Sequence, residues 1–321
     1  MVTATPLDIV ALGEAMIEFN QTNADPRAYV QGFGGDTSNA LIAAARQGAK
    51  GGYITKLGDD TFGRMLLQLW HDENVDTEGV AIDAAAPTGT YFVSHGTHGH
   101  TFSYLRAGSA ASQIRPSDVP AALVERARIL HVSGISQAIS ASATDTVFHA
   151  INVARAAQIK VSYDPNLRLK LWPIDRARAI ICATIPLTDY FLPSLDDVRL
   201  VCGGDDPAAI LNWCQRLGAR TVVLKMGKEG SWVSKGEART RIMAYPVEAV
   251  DATGAGDCFD GSLLARFAAG DDVVTAARWA SAAAALTTTG YGAVAPLPTA
   301  DRVAQFLASG ATNVAGSKQS A

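Results

Sequence analysis

Apolar residues along this chain follow two alternating rhythms. Short runs at Leu7–Leu12, Gly52–Leu57, Arg128–Val132, Lys160–Tyr163, Asp189–Leu192 and Thr221–Met226 have the length of buried strands. Between them, apolar residues recur at three- and four-residue spacing. The clearest case is Thr61–Glu73, where Phe62, Met65, Leu66, Leu69 and Trp70 would share one helix face. Helices are also predicted from Asp36 or Thr37, as cap, to Arg46 with Gly48 just beyond, and over Ser142–Gln158, Ile174–Thr184 and Pro207–Leu217. Two alanine-rich helices follow, around Ser262–Ala269 and Val274–Leu286. Such alternation predicts an α/β fold: a mostly parallel central sheet, helices on both faces, and ligands at the carboxyl ends of the strands.

Two stretches break the rhythm, Met16–Gly32 and Thr88–Arg106, which read as strands without intervening helices. In the second, Thr90–Ser94 and Thr101–Arg106 flank a Gly/His-rich turn and predict a hairpin. Period-two alternation puts Phe102, Tyr104 and Arg106 on one face. Together these pieces, about 14–33 and 88–107, suggest a small β-sheet lid on a single domain spanning 1–311, with 312–321 as a flexible tail. The turn's His95, His98 and His100 have no Cys or acidic companion and read as solvated decoration rather than a metal site.

At 321 residues and 48% hydrophobic, the chain can bury a large core. A net charge of −4 leaves no electrostatic footprint for nucleic acid or an anionic membrane. No apolar run approaches the ~20 residues that span a bilayer. Met1–Leu7 lacks the layout of a signal peptide, and Cys182, Cys202, Cys214 and Cys258 lack paired metal spacing. These features point to a cytoplasmic, enzyme-sized protein.

The chemistry concentrates in Asp251-Ala-Thr-Gly-Ala-Gly-Asp257, between a segment with strand character (Tyr245, Val247, Val250) and a helical run (Phe259, Leu263, Leu264, Phe267). A small-residue turn feeding a helix leaves backbone amides unpaired and backed by the helix dipole, which suits an anion. Asp257 adds a carboxylate beside that position. Moving a phosphoryl group to an alcohol needs both parts, donors for phosphate oxygens and a base for the hydroxyl. Tight packing alone would also use Gly-Ala-Gly. A dinucleotide fingerprint fits poorly, because the third glycine is misplaced. Gly34-Gly-Asp-Thr-Ser-Asn39, before the first long helix, offers close backbone approach plus Asp36 and Asn39 for hydroxyls; a glycine turn with a cap is the plainer account.

The pair of motifs, about 215 residues apart, resembles the two signatures of the PfkB (ribokinase-like) carbohydrate kinase family. Lys225-Met-Gly-Lys-Glu-Gly230 falls between them in the family's order, and the resemblance covers nearly the whole chain. A narrower likeness, to the branch acting on 2-keto-3-deoxygluconate, rests on Gly32–Asn39, Tyr104-Leu-Arg106, Val132–Ser136 and Tyr163–Trp172.

The resemblance implies a ribokinase-like fold, ATP and Mg²⁺, a small-molecule sugar acid as acceptor, and a homo-oligomer, a dimer through the lid. It implies Asp257 as base, with amides of Gly254, Ala255 and Gly256 holding charge on the transferred group. Gly34, Gly35, Asn39, Tyr91, Tyr104, Arg106 and Arg168 would bind substrate, Arg106 gripping its carboxylate. Lys225, Gly227, Gly230 and Ser281 would lie along the nucleotide, with Gly254 and Gly256. Where the family often has Asn-x-x-Glu near the metal, this chain has Ser194-Leu-Asp-Asp197, leaving Asp197 to reach Mg²⁺ through water. A neutral-sugar kinase and a sugar- or nucleotide-sensing module stay open as alternatives. No Walker motif occurs.

Overall fold

The computed structural model describes residues 5–22, 25, 27–96 and 99–310. The expected tail, 312–321, and His98 of the three-histidine turn lie outside the described residues. The first half runs β1 (Ile9–Leu12), β2 (Met16–Gln21), β3 (Tyr29–Gly34), α1 (Asp36–Arg46), β4 (Gly51–Gly58), α2 (Thr61–Asp72), β5 (Val80–Asp83), β6 (Thr90–Gly96), β7 (Gly99–Leu105), α3 (Ala121–Glu125) and β8 (Ile129–Ser133). Then come α4 (Gly134–Ala138), α5 (Ala141–Ala156), β9 (Lys160–Asp164), α6 (Ile174–Thr184), β10 (Tyr190–Phe191), α7 (Leu195–Cys202), α8 (Pro207–Arg216) and β11 (Thr221–Lys225). The chain closes with β12 (Ser231–Lys235), β13 (Ala238–Ile242), α9 (Ala255–Ala268), α10 (Val273–Thr287) and α11 (Ala300–Ala308).

The main sheet has the order β13-β12-β11-β10-β9-β8-β1-β4-β5. Its strands pair in parallel from β5 to β11, and β12 and β13 add an antiparallel hairpin at one edge. Strand β1 shows why the sheet is covered twice. Ile9 and Ala11 point into one core cluster and Val10 and Leu12 into another, so alternate residues of one strand feed opposite layers. One layer holds Val147, Ile151 and Phe191; the other holds Leu41, Tyr53, Trp70 and Leu263. Each fully buried side chain of this size contributes about 1.5–3 kcal/mol by leaving water. Helix α2 illustrates the local logic: Asp60 caps it by accepting from the Gly63 amide at 2.8 Å, and Trp70, fully buried, donates to Ser38 Oγ at 3.0 Å.

A second, four-stranded sheet, β3-β2-β6-β7, stands apart as the expected lid. Strands β6 and β7 form the predicted hairpin, with Tyr91 opposite Tyr104 and Val93 opposite Phe102.

Three expectations change. Residues 243–250 form neither strand nor helix, so Tyr245, Val247 and Val250 are not in a strand. Ile242 pairs with Ser231, the first residue of β12, so residues beyond it have no ladder partner. Helix α1 is capped by Gly35 rather than by Asp36 or Thr37: at φ 118° with the Glu14 carbonyl in the space of a Cβ, only glycine fits. The third is β5 and β13, which escaped the periodicity because their residues are mostly half-buried or exposed.

Candidate active site

The carboxyl edge of the parallel sheet gathers the polar residues. Ser133 ends β8, Asp164 ends β9 and Lys225 ends β11, while Glu14 follows β1, where the strand order reverses between β4 and β8. Helix α9 closes over this edge. Its approach is braced by Asp251, whose carboxylate accepts from Thr253 N at 2.9 Å, Thr253 Oγ1 at 2.6 Å and Gly292 N at 2.9 Å. Gly254 then turns at φ 74°, and a Cβ there would lie 2.7 Å from the Ala293 carbonyl oxygen.

No side chain caps α9. The Ala255 amide folds back onto the Ala252 carbonyl at 3.2 Å and Cys258 N reaches Gly254 O at 2.8 Å. The amides of Gly254, Gly256 and Asp257 have no acceptor among the described residues. Open first-turn donors at the positive end of a helix suit a phosphate oxygen. Ala255, expected among the donors, is spent on the turn, and the Asp257 amide takes its place.

The Asp257 side chain meets α1, where Asn39 Nδ2 donates to Oδ2 at 2.8 Å. Although Asp257 keeps some exposed surface, protein encloses its carboxyl, and its pKa is pushed up to about 7. Burial is the main cause, followed by the charge of Asp36; the Asn39 hydrogen bond pulls the other way, Asp164 adds to the rise and Lys225 opposes it. A carboxyl with that pKa suits proton abstraction near neutrality. Asn39 Oδ1 is buried without a partner, an acceptor open to a hydroxyl.

The lid supplies the opposite wall. Gly34 lies beneath the Tyr91 ring so closely that a Cβ would strike its hydroxyl. Tyr91 donates to Glu18 Oε2 at 2.5 Å, and the Tyr91 and Tyr104 rings lie 5.6 Å apart across β6–β7. Glu18 was not anticipated. It is buried on β2, burial raises its pKa first of all, and it borders a cavity of about 500 Å³ between lid strand β3 and residues 291–295. A signal was present: alternation puts Met16, Glu18 and Asn20 on one face of β2, and a buried acid on a lid strand is there for a polar partner.

Arg106 departs from expectation. Its guanidinium forms an ion pair with Glu14, whose side chain is 0% exposed, and lies 5.6 Å from the centre of the Tyr104 ring. Ser109 Oγ donates to the other Glu14 oxygen at 2.5 Å. The lid arginine is therefore paired with an acid at the base of the lid, while its Nε and Nη2 have no hydrogen-bond partner among the described residues. Glu14 comes from the β1–β2 connection, far away in sequence, so strand alternation could not reveal it. Arg168 is the exposed cation: Nη1 donates to the Leu167 carbonyl at 3.0 Å, it makes no ion pair among the described residues, and its charge acts on Asp36 and Asp197.

Lys225 also differs. Its Nζ donates to Asp164 Oδ2 at 3.0 Å and to Asp260 Oδ1 and Oδ2 at 2.9 and 2.8 Å, so all three protons are used inside the protein. Gly227, at φ 54° with open space around it, and Gly230, packed against the Ile242 carbonyl, flank the turn after β11. Ser281 is buried on α10, its hydroxyl 3.4 Å from the Met243 carbonyl.

Ser194 caps α7 by accepting from Asp197 N at 3.1 Å. The Asp197 carboxyl is raised by burial, then by Asp164, and a nearby cation would relieve both effects. Among the described residues no cluster of three His, Cys, Asp or Glu could chelate a metal. An all-oxygen neighbourhood with one available carboxyl fits a hard divalent cation that keeps its water shell, not a protein cage. His95, from the three-histidine turn, bonds Asn20 Oδ1 through Nε2 at 2.7 Å.

A carboxyl raised to about 7 beside open helix-terminal amides, at the carboxyl edge of an α/β sheet and under a β lid, has the parts that phosphorylating a small molecule needs. Residues 6–300 match the family model described as pfkB family carbohydrate kinase, and the chain belongs to that family. It is 34% identical to the 2-dehydro-3-deoxygluconokinase of Thermoproteus tenax over 310 residues, covering 94% of each chain. It is 32% identical to fructokinase-1 of Oryza sativa subsp. japonica, covering 94% of this chain and 98% of that one. Among solved structures it resembles fructokinase from Vibrio cholerae O395 in a fructose-, ADP- and calcium-bound form, with TM-score 0.85, 27% identity, and 94% and 99% coverage. No helix among the described residues is long and apolar enough to cross a membrane.

Proposed function

We propose that the chain transfers the γ-phosphoryl group of ATP to the terminal hydroxyl of 2-keto-3-deoxygluconate, giving the 6-phosphate. The observation that carries the reaction type is Asp257, held by Asn39 at 2.8 Å and tuned to about 7, one residue beyond an open amide turn. The acceptor hydroxyl gives its proton to Asp257, and the amides of Gly254, Gly256 and Asp257 hold the charge that builds on the transferred oxygens. Gly34, Gly35, Tyr91 and Tyr104 enclose the sugar, and Asn39 and Glu18 bond its hydroxyls. Arg168 is the group left to meet the carboxylate, in place of Arg106. Gly227, Gly230 and Ser281 border the nucleotide. Mg²⁺, reached from Asp197 through water, neutralises phosphate charge when bound. The working unit is one kinase domain with its lid, pairing into a dimer through lid strands whose Val30 and Leu105 are exposed.

A neutral hexose such as fructose is the second reading. The Arg106–Glu14 pair favours it, because Glu14 offsets the charge of the lid cation, and fructokinases stand among the relatives. ADP release measured over sugar acids and neutral sugars decides between them. The highest kcat/KM is expected on 2-keto-3-deoxygluconate. A preference for fructose overturns the acid, and ATP binding without turnover on any sugar makes the chain a sensor.

A further inference from the structure

We infer that Lys225 is a positioning residue, a buried strut that bridges β9 to α9 and thereby holds Asp257 and the open amides in register with the sheet. The inference rests on the kinase reading above and assigns Lys225 a place other than the nucleotide. Its side chain is 11% exposed, and its three donors go to Asp164 on β9 and Asp260 on α9 at 2.8–3.0 Å. Asp260 is fully buried and three residues beyond Asp257, so it lies one turn further along α9 on the same side of the helix. A Cβ on Gly256 would sit 3.9 Å from Lys225 Nζ, which places the ammonium directly behind the amide turn. An apolar helix with Asp260 alone would bury an uncompensated acid; the lysine makes this close approach of α9 to the sheet stable.

The electrostatics agree. Burial pushes both carboxyls up; it prevails at Asp260, whereas at Asp164 the charge of Lys225 and hydrogen bonds outweigh it and hold the group below its ordinary value. The groups acting on Asp257 are Asp36 from α1 and Asp164 from β9, which raise it, and Asn39 from α1 and Lys225 from β11, which lower it. Tyr91 from β6 also feels its charge.

The test is Lys225→Met, with Lys225→Arg as the charge-retaining variant. Expected for Lys225→Met are a kcat loss of about 10–100-fold and an ATP Kd, by calorimetry, within about threefold of the parent, because no phosphate contact is removed. The acid limb of kcat moves to higher pH, since a charge favouring ionised Asp257 is gone. Lys225→Arg returns the limb toward its original position. If Lys225→Met does not fold, the double variant Lys225→Met with Asp260→Asn leaves one carboxyl hydrogen-bonded by an amide and is expected to show the same shift. An unmoved limb with kcat within threefold overturns the inference. So does a loss of ATP affinity beyond tenfold with the limb in place, which would make Lys225 a nucleotide ligand. Titration of the Asp257 carboxyl by NMR reads the same shift without turnover. It therefore tests Lys225 even if the parent protein releases no ADP with any sugar.

Discussion

Asn39 Nδ2 and Asp257 Oδ2 lie 2.8 Å apart although 218 residues separate them in the chain. This bond joins the first turn of α1, which follows the lid, to the first turn of α9, which carries the open amides. It ties the starts of two helices from opposite ends of the chain to one carboxyl group.

Asp257→Asn removes the proposed base. A kcat decrease of about 10²–10⁴-fold is expected, and near-normal turnover would exclude Asp257 from that role. The same pKa sets the pH dependence: activity falls as pH drops through about 7, where Asp257 gains its proton. The stability sign is opposite to that of a salt-bridged acid. A folded pKa above the ordinary value of 3.8 means that stability decreases as pH rises from there to about 7, so Asp257→Asn raises Tm at pH 8. A lower Tm in the variant would contradict the burial argument.

Arg106→Ala leaves Glu14 buried without its partner, which costs about 3–5 kcal/mol. A large drop in Tm is expected, with losses of kcat/KM of similar size on acidic and neutral sugars. A loss confined to the acid would return Arg106 to carboxylate recognition. Adding Glu14→Gln is expected to recover part of the stability.

Arg168→Ala removes the exposed cation near Asp36 and Asp197. A cost of about 1.5–3 kcal/mol in kcat/KM is expected for the sugar acid, with little change for fructose and little change in Tm. Equal loss on both sugars would point to a phosphate contact.

Gly254→Ala places a side chain at φ 74°, which costs about 1–2 kcal/mol, and sets its Cβ against the Ala293 oxygen. Lower kcat and a displaced first turn of α9 are expected. Unchanged turnover would show that the amide geometry at this turn is not needed.

Much of this molecule is written locally. The alternation of short apolar runs with helical spacing produced the parallel sheet, because a strand buried on both faces and a helix buried on one have different periods in any context. Gly34, Gly35 and Gly254 marked the site for a similar reason: close approach of neighbouring atoms excludes a side chain there. The lid hairpin was legible from its strand alternation on either side of a turn. What the tertiary structure decided is which charges meet. Arg106 and Lys225 look like ligand-binding cations along the chain, but Glu14 reaches Arg106 from the β1–β2 connection, and Asp164 on β9 and Asp260 on α9 take the donors of Lys225. Strand alternation could place Glu18 on a face with Met16 and Asn20, but its partner was decided only when β2 paired with β6 and brought Tyr91 onto it. Backbone periodicity depends on neighbours a few residues away, whereas a buried charge is settled by whatever the fold brings within about 4 Å, where Coulomb energies in the interior outweigh local preference.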